Sequence, residues 1–100
     1  MPAIALENQI STGHGCFPPT GSVGPYTSTV KINGKFIQLK GVTRYVAHTC
    51  GNVTHPTNAR IVSEGSSTVY VEGIQIARIG DLISCGDAVG QGSPTVFCGE

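Results

Sequence analysis

The sequence predicts an all-β protein built from repeated hairpins. Three observations carry this: imperfect copies of one phrase, a glycine and proline content that would interrupt helices, and no clean 3.6-residue apolar period in any window of helical length. Fourteen of the 100 residues are Gly and six are Pro, which suits short strands joined by turns.

The phrase is clearest at residues 65–86, GSSTVYVEGIQIARIGDLISCG. Upstream, TSTVKING at 27–34 matches SSTVYVEG at 66–73; downstream, SPTVFCG at 93–99 begins the same phrase and stops at the chain end. Each full copy alternates apolar residues, turns on two residues ending in Gly, and alternates again, which is a hairpin signature. Asn33 and Gly34 supply the positive φ angles of a type I′ turn, so Ile32 is expected opposite Lys35 and Val30 opposite Ile37. The same rule sets Val71 opposite Ile74 and Val69 opposite Ile76. Side chains alternate faces along a strand, so Val30 and Ile32, Val69 and Val71, and Val96 and Cys98 are expected as equivalent inward rows. Three copies imply a pseudo-threefold core.

Before the first hairpin, residues 3–11 read as a short strand-like segment, and residues 12–21 as a loop whose Gly and Pro exclude regular structure. The hairpin itself is expected over residues 28–39. Residues 42–47 are another short apolar run, followed at 48–56 by a polar loop with two of the three histidines. Residues 59–62 lead into the second hairpin. No stretch reads as a linker, so residues 1–100 are expected to form a single domain.

Formal net charge is zero with 12% charged residues, so the chain has no bulk attraction to nucleic acid or to an anionic membrane. Lys31, Lys35, Lys40 and Arg44 cluster locally and read as exposed hairpin residues that block edge pairing. The opening MPAIALE has neither a basic segment nor an apolar run long enough for a signal peptide or membrane span. Folding in a cytoplasm is therefore expected. Thiols stay reduced there, so Cys16, Cys50, Cys85 and Cys98 are expected as ligands or small core residues rather than as two disulfides.

Aligning the residues just beyond each apolar strand gives a candidate metal site. His14, His48 and Cys85 each come just after such a strand, and a threefold axis would bring three equivalent positions to one point. His55, seven residues past His48 across a Gly-containing loop, can swing in as a fourth ligand. Imidazole nitrogen and thiolate sulfur in a set of four suit zinc, with iron as second choice. Cys50 is the main rival, since it shares a face with His48 on an extended segment; Cys16, two residues after His14, is another. Cys98 aligns with Val71 and Ile32 and reads as a small buried residue. Four protein ligands leave no position for an activated water, so the ion is expected to be structural.

These residues resemble the PAAR-repeat proteins, which cap the central spike of contractile injection machines, including phage tails and type VI secretion systems. The resemblance rests on GSSTV at 65–69 and GSPTV at 92–96, VEG at 71–73 in the place of Ile-Asn-Gly, IAR at 76–78 in the place of Ala-Ala-Arg, GD at 80–81 and SCG at 84–86. It covers nearly the whole chain. It implies a small β cone whose base docks, one chain per trimer, on the blunt end of a trimeric β-helical spike. Near the apex it implies zinc held by three histidines and a cysteine, which by position are His14, His48, His55 and Cys85. The first copy departs from the pattern: FIQL at 36–39 holds no Ala-Arg, and Val42 stands where Asp81 does in the second. That face is expected to dock differently.

On this reading the protein is a structural tip and not an enzyme. It caps and sharpens the spike and touches the target cell envelope transiently. The third copy ends the chain and little precedes the first, so no fused effector is expected; a phage tail baseplate, with the protein in the virion, is favoured over a type VI secretion spike. The competing class is a small zinc hydrolase with water in one ligand position. Glu64, Glu72, Asp81 and Asp87 could offer a base, but none lies in an HExxH context, and Asp81 reads better as a turn residue after Gly80. A Cys50 nucleophile with His48 is disfavoured, because side chains two apart on a strand splay and no third group orients them.

Overall fold

In a computed structural model, described from Pro2 to Cys98, the chain is all-β. Its strands are β1 (Ser22–Gly24), β2 (Tyr26–Ile32), β3 (Lys35–Gln38), β4 (Arg44–Tyr45), β5 (His48–Cys50), β6 (Val53–His55), β7 (Tyr70–Val71) and β8 (Ile74–Gln75). One 3-10 turn, Thr57–Ala59, follows β6. The strands pair antiparallel as β1 with β4, β2 with β3, β5 with β6 and β7 with β8. The body measures 38 × 24 × 22 Å.

The pseudo-threefold is visible in the backbone. Three segments, 4–6, 37–39 and 76–78, close a ring through bridges of Leu6 to Ile37, Leu39 to Ile76 and Arg78 to Ile4. At its centre Gln38 N–H donates to Ala5 O (3.0 Å), Ala77 N–H to Gln38 O (2.9 Å) and Ala5 N–H to Ala77 O (3.0 Å). Ile4, Leu6, Ile37, Leu39, Ile76 and Cys98 fill one core cluster. Ala5, Tyr45, Val62, Ala77, Ile83 and Val89 fill a second.

Each ring segment is followed by a turn that a side-chain oxygen closes. Gln9 Oε1 accepts from Leu6 N–H, Thr43 Oγ1 from Leu39 N–H and Asp81 Oδ2 from Arg78 N–H, at 2.7–2.9 Å. Asp81 is thus a turn residue, as expected. Gln9 and Thr43 do the same work with different chemistry, and for that reason they escape a sequence alignment.

The hairpin turns behave as predicted. Asn33 and Gly34 have φ of 53° and 78°, Glu72 and Gly73 of 57° and 79°, and Ile32 pairs with Lys35 and Val71 with Ile74. Ile76 N–H reaches Val69 O (3.2 Å). The expected pairing of Val30 with Ile37 fails: Ile37 N–H donates to Thr27 Oγ1 (3.0 Å), whose hydroxyl donates to Val30 O (2.8 Å). Inserting a hydroxyl between the strands breaks the register, and Val30 is left 40% exposed. The other five members of the predicted rows pack in or against the first cluster. Gly99, the predicted end of the third phrase, lies outside the described residues.

The three phrases are also tied to one another. Ser66 Oγ accepts from Thr68 and Val69 N–H, and Ser93 Oγ from Thr95 and Val96 N–H. In the first copy Thr27 stands where Ser66 does, and the Ser28 and Thr29 amides donate to Glu72 Oε2 of the second copy (2.8 and 2.9 Å). Asn33 of the first copy in turn holds Ser93 and Thr95 of the third.

Candidate metal centre

His14 sits on a two-residue turn whose flanks, His14 and Phe17, exchange both backbone hydrogen bonds (3.1 and 2.9 Å). Gly13 makes the entry possible: its φ is +73°, and a Cβ there would lie 2.8 Å from Phe17 O. His48 and His55 face each other across the β5–β6 hairpin. The sequence reading of residues 48–56 as an irregular loop is corrected by that hairpin, which turns on Gly51 and Asn52 with Gly51 at φ +59°. The signal was present: Gly-Asn between Thr49, Cys50 and Val53, Thr54 is a hairpin dipeptide flanked by residues that favour strands. His55 therefore needs no swinging loop, because the ladder presents it beside His48.

Cys85 comes from the turn after Ile83 and packs against the second core cluster. Its sulfur lies 3.9 Å from His14 Nε2 and 3.8 Å from His48 Nε2. His48 Nε2 is 3.3 Å from His14 Nε2 and 3.0 Å from His55 Nδ1. One candidate atom from each of the four residues thus falls within 4.8 Å of the others, forming a group able to hold a metal ion. Zinc bonds of about 2.0–2.1 Å to nitrogen and about 2.3 Å to sulfur, at tetrahedral angles, put nitrogens about 3.3 Å apart and nitrogen about 3.6 Å from sulfur. The four separations given above, 3.0–3.9 Å, bracket those values, and the whole set lies within 4.8 Å.

The surroundings suit ligation. Nδ1 of His48 lies 3.0 Å from Pro18 O; a carbonyl only accepts, so Nδ1 carries the proton and Nε2 offers its lone pair. Burial lowers the pKa of His48 and the Arg60 charge lowers it further, against the opposing carbonyl bond, so the ring favours the neutral form a ligand needs. Phe17 stacks on His55 at 4.0 Å and on His14 at 4.8 Å between ring centroids, walling one side.

The residues match the PAAR motif family over 12–91. The chain belongs to that family. A search of curated proteins finds no significant match. The PAAR assignment supports a spike-tip role in a contractile injection system, with a spike protein as associate. PAAR motifs bind metal, which agrees with the His and Cys group described above.

Two of the rival ligands are eliminated. Cys16 and Cys50 form a disulfide, with Cα atoms 5.5 Å apart, contrary to the expectation of reduced thiols. The reason is geometric: each lies two residues beyond a histidine, so bringing His14 and His48 together brings the cysteines together as well. Cys98 is buried in the first core cluster, as expected, and burial raises its pKa. Lys31, Lys35, Lys40 and Arg44 are exposed.

Around this PAAR site the sequence reading missed Arg60, and it weighed Asp87 only as a base. Their side chains are fully buried and ion-paired. Burial alone would push the Asp87 carboxyl up, but hydrogen bonds from Ser11, Ala88 N–H and Thr12, together with the Arg60 charge, hold it below the usual carboxylate range. The one sequence signal was that Arg60 is the sole cation in an otherwise uncharged run, residues 45–63.

Proposed function

We propose that this chain caps the blunt end of a trimeric β-helical spike, one chain per trimer, and presents a rigid point stiffened by one zinc ion. The ligands are His14, His48, His55 and Cys85, and the ion is structural. The observation that carries the reading is the convergence of these four side chains in a chain of the PAAR family. Bound zinc would supply a closed, redox-inert cross-link between segments that share little core. With four protein ligands there is no open position for substrate, so the chain acts as a structural tip rather than a hydrolase.

The docking face is the end that carries the phrase turns. Tyr70 and Phe97 occupy equivalent positions in their copies and are 54% and 49% exposed, which suits cover for an apolar, threefold spike end. Lys31 takes the third such position, its ammonium over the Phe36 ring at 4.7 Å. The first face therefore docks differently from the other two. At the metal end, residues 10–21 and 45–59 hold no Asp, Glu, Lys or Arg, so little charge must be desolvated when that end meets a lipid envelope. A phage tail, with the protein in the virion, is the preferred setting.

Co-expression with candidate spike trimers and native mass spectrometry test this. One chain per three spike chains is expected, and two or three per trimer would contradict the capping geometry. Recovery with a type VI rather than a phage spike would overturn the preferred setting alone.

A further inference from the structure

We infer that Arg60 is the positioning residue of the metal centre: its guanidinium gathers the four ligand-bearing segments and donates to the Cys85 sulfur. The inference rests on the proposed ligand set and concerns what holds that set in place.

A guanidinium carries five N–H donors in a fixed planar fork. All five are engaged. Nε–H donates to Cys85 Sγ at 3.3 Å. Nη1 donates to Thr20 Oγ1 and Val46 O, and Nη2 to Asp87 Oδ2 and, at 3.2 Å, to Ser11 Oγ.

The partners are spread over the segments of His14, His48 and Cys85, and Arg60 itself lies on that of His55. Ser11 and Thr20 bracket the turn that carries His14. Val46 precedes His48 by two residues, and Asp87 follows Cys85 by two. Arg60 itself follows the 3-10 turn that leaves His55 and β6. One side chain thus fastens the segments of all four ligands from beneath. Its own charge is balanced by Asp87, and the flat face lies over Tyr45, with the guanidinium carbon 5.7 Å from the ring centroid.

A donor on a ligating sulfur does more than fix a rotamer. It lowers the energy of the sulfur lone pairs and so tunes the metal–sulfur bond, while partners of this kind typically set affinity as well. Lysine cannot substitute, because an ammonium has three donors on one centre and cannot reach five separate acceptors.

The test uses the full chain, wild type and Arg60→Lys, loaded with Co2+ as a spectroscopic probe and titrated with Zn2+ against a chromophoric chelator. The wild type should show a sulfur-to-cobalt charge-transfer band. In Arg60→Lys that band should move to longer wavelength and zinc affinity should fall about 10- to 100-fold. A merely structural role would leave the band of the folded protein where it is. Should Arg60→Lys not fold, Thr20→Val, which removes an Nη1 partner far from the sulfur, should still weaken zinc binding several-fold. A wild type with the band and a folded Arg60→Lys with the same band and affinity overturns the inference, as does an unchanged Thr20→Val if Arg60→Lys fails to fold. A wild type without the band overturns the ligand set itself and the inference with it.

Discussion

The two ends of this molecule are held together by different means. Around residues 4–6, 37–39 and 76–78 three backbones pass one hydrogen bond each to the next, and apolar side chains fill the centre. Around His14, His48, His55 and Cys85 the threefold has gone. One corner is a tight turn, one a hairpin contributing two ligands, and one a lone cysteine. Side chains replace the ladder there: a disulfide, a buried ion pair and a ligand cluster. Repetition therefore suffices to close the ring, whereas bringing three histidines and one cysteine to a single point requires that symmetry be broken.

The largest expected effect is on the asymmetric end. Structural zinc contributes on the order of 10 kcal/mol in small metal-dependent domains, so chelation or Cys85→Ala should strip the order of that end. In hydrogen exchange, amides of β5, β6 and the His14 turn should lose protection while Gln38 and Ala77 keep theirs. Equal loss in both regions would erase the distinction between them.

Ile37→Ala attacks the symmetric end instead. Ile37 is 1% exposed in the first cluster, and such truncations cost about 2–5 kcal/mol. Denaturant melts should show that loss, with zinc content per folded chain unchanged.

Removing the disulfide with Cys16→Ser and Cys50→Ser should cost somewhat less, about 2–4 kcal/mol for a cross-link of this kind; its partners are 34 residues apart. Because the bridge joins the two histidine-bearing segments, zinc affinity should fall as well. A variant that loses stability but binds zinc as before would separate the bridge from the site.

The smallest effect is at Glu72. Hydrogen bonds from the Thr29 hydroxyl and the Ser28 and Thr29 amides hold its carboxyl below the usual range. A depressed folded pKa gives a contribution that is full above the unfolded value and is lost as pH falls through the folded one. Exchange at the Ser28 and Thr29 amides, corrected for the intrinsic pH dependence, should therefore lose protection on acidification and do so at neutral pH in Glu72→Gln. Insensitivity in both would remove Glu72 from the coupling between copies.

Legibility in the sequence divides along the same line. The type I′ turns, five of the six inward positions and the all-β class were legible because each rests on local chemistry repeated at a fixed spacing. Of the three turn-closing residues only Asp81 was legible, since Gln9 and Thr43 perform its task with different side chains. The Val30 register was lost to a single threonine hydroxyl. At the metal end three of the four clustered residues, His14, His48 and Cys85, could be named from their positions after equivalent strands, and His55 from its spacing to His48, but the disulfide and Arg60 could not. Their partners come from segments far apart in the chain, and the local signals, a lone cation in residues 45–63 and a cysteine two residues past each of two histidines, do not name those partners.

The proposed tip depends on one ion being held by nitrogen and sulfur at the end where symmetry stops. X-ray absorption at the zinc edge of the purified chain addresses this directly. It should show one zinc per chain with three nitrogens at about 2.0–2.1 Å and one sulfur at about 2.3 Å. No bound metal, or a coordination shell without sulfur, would contradict it.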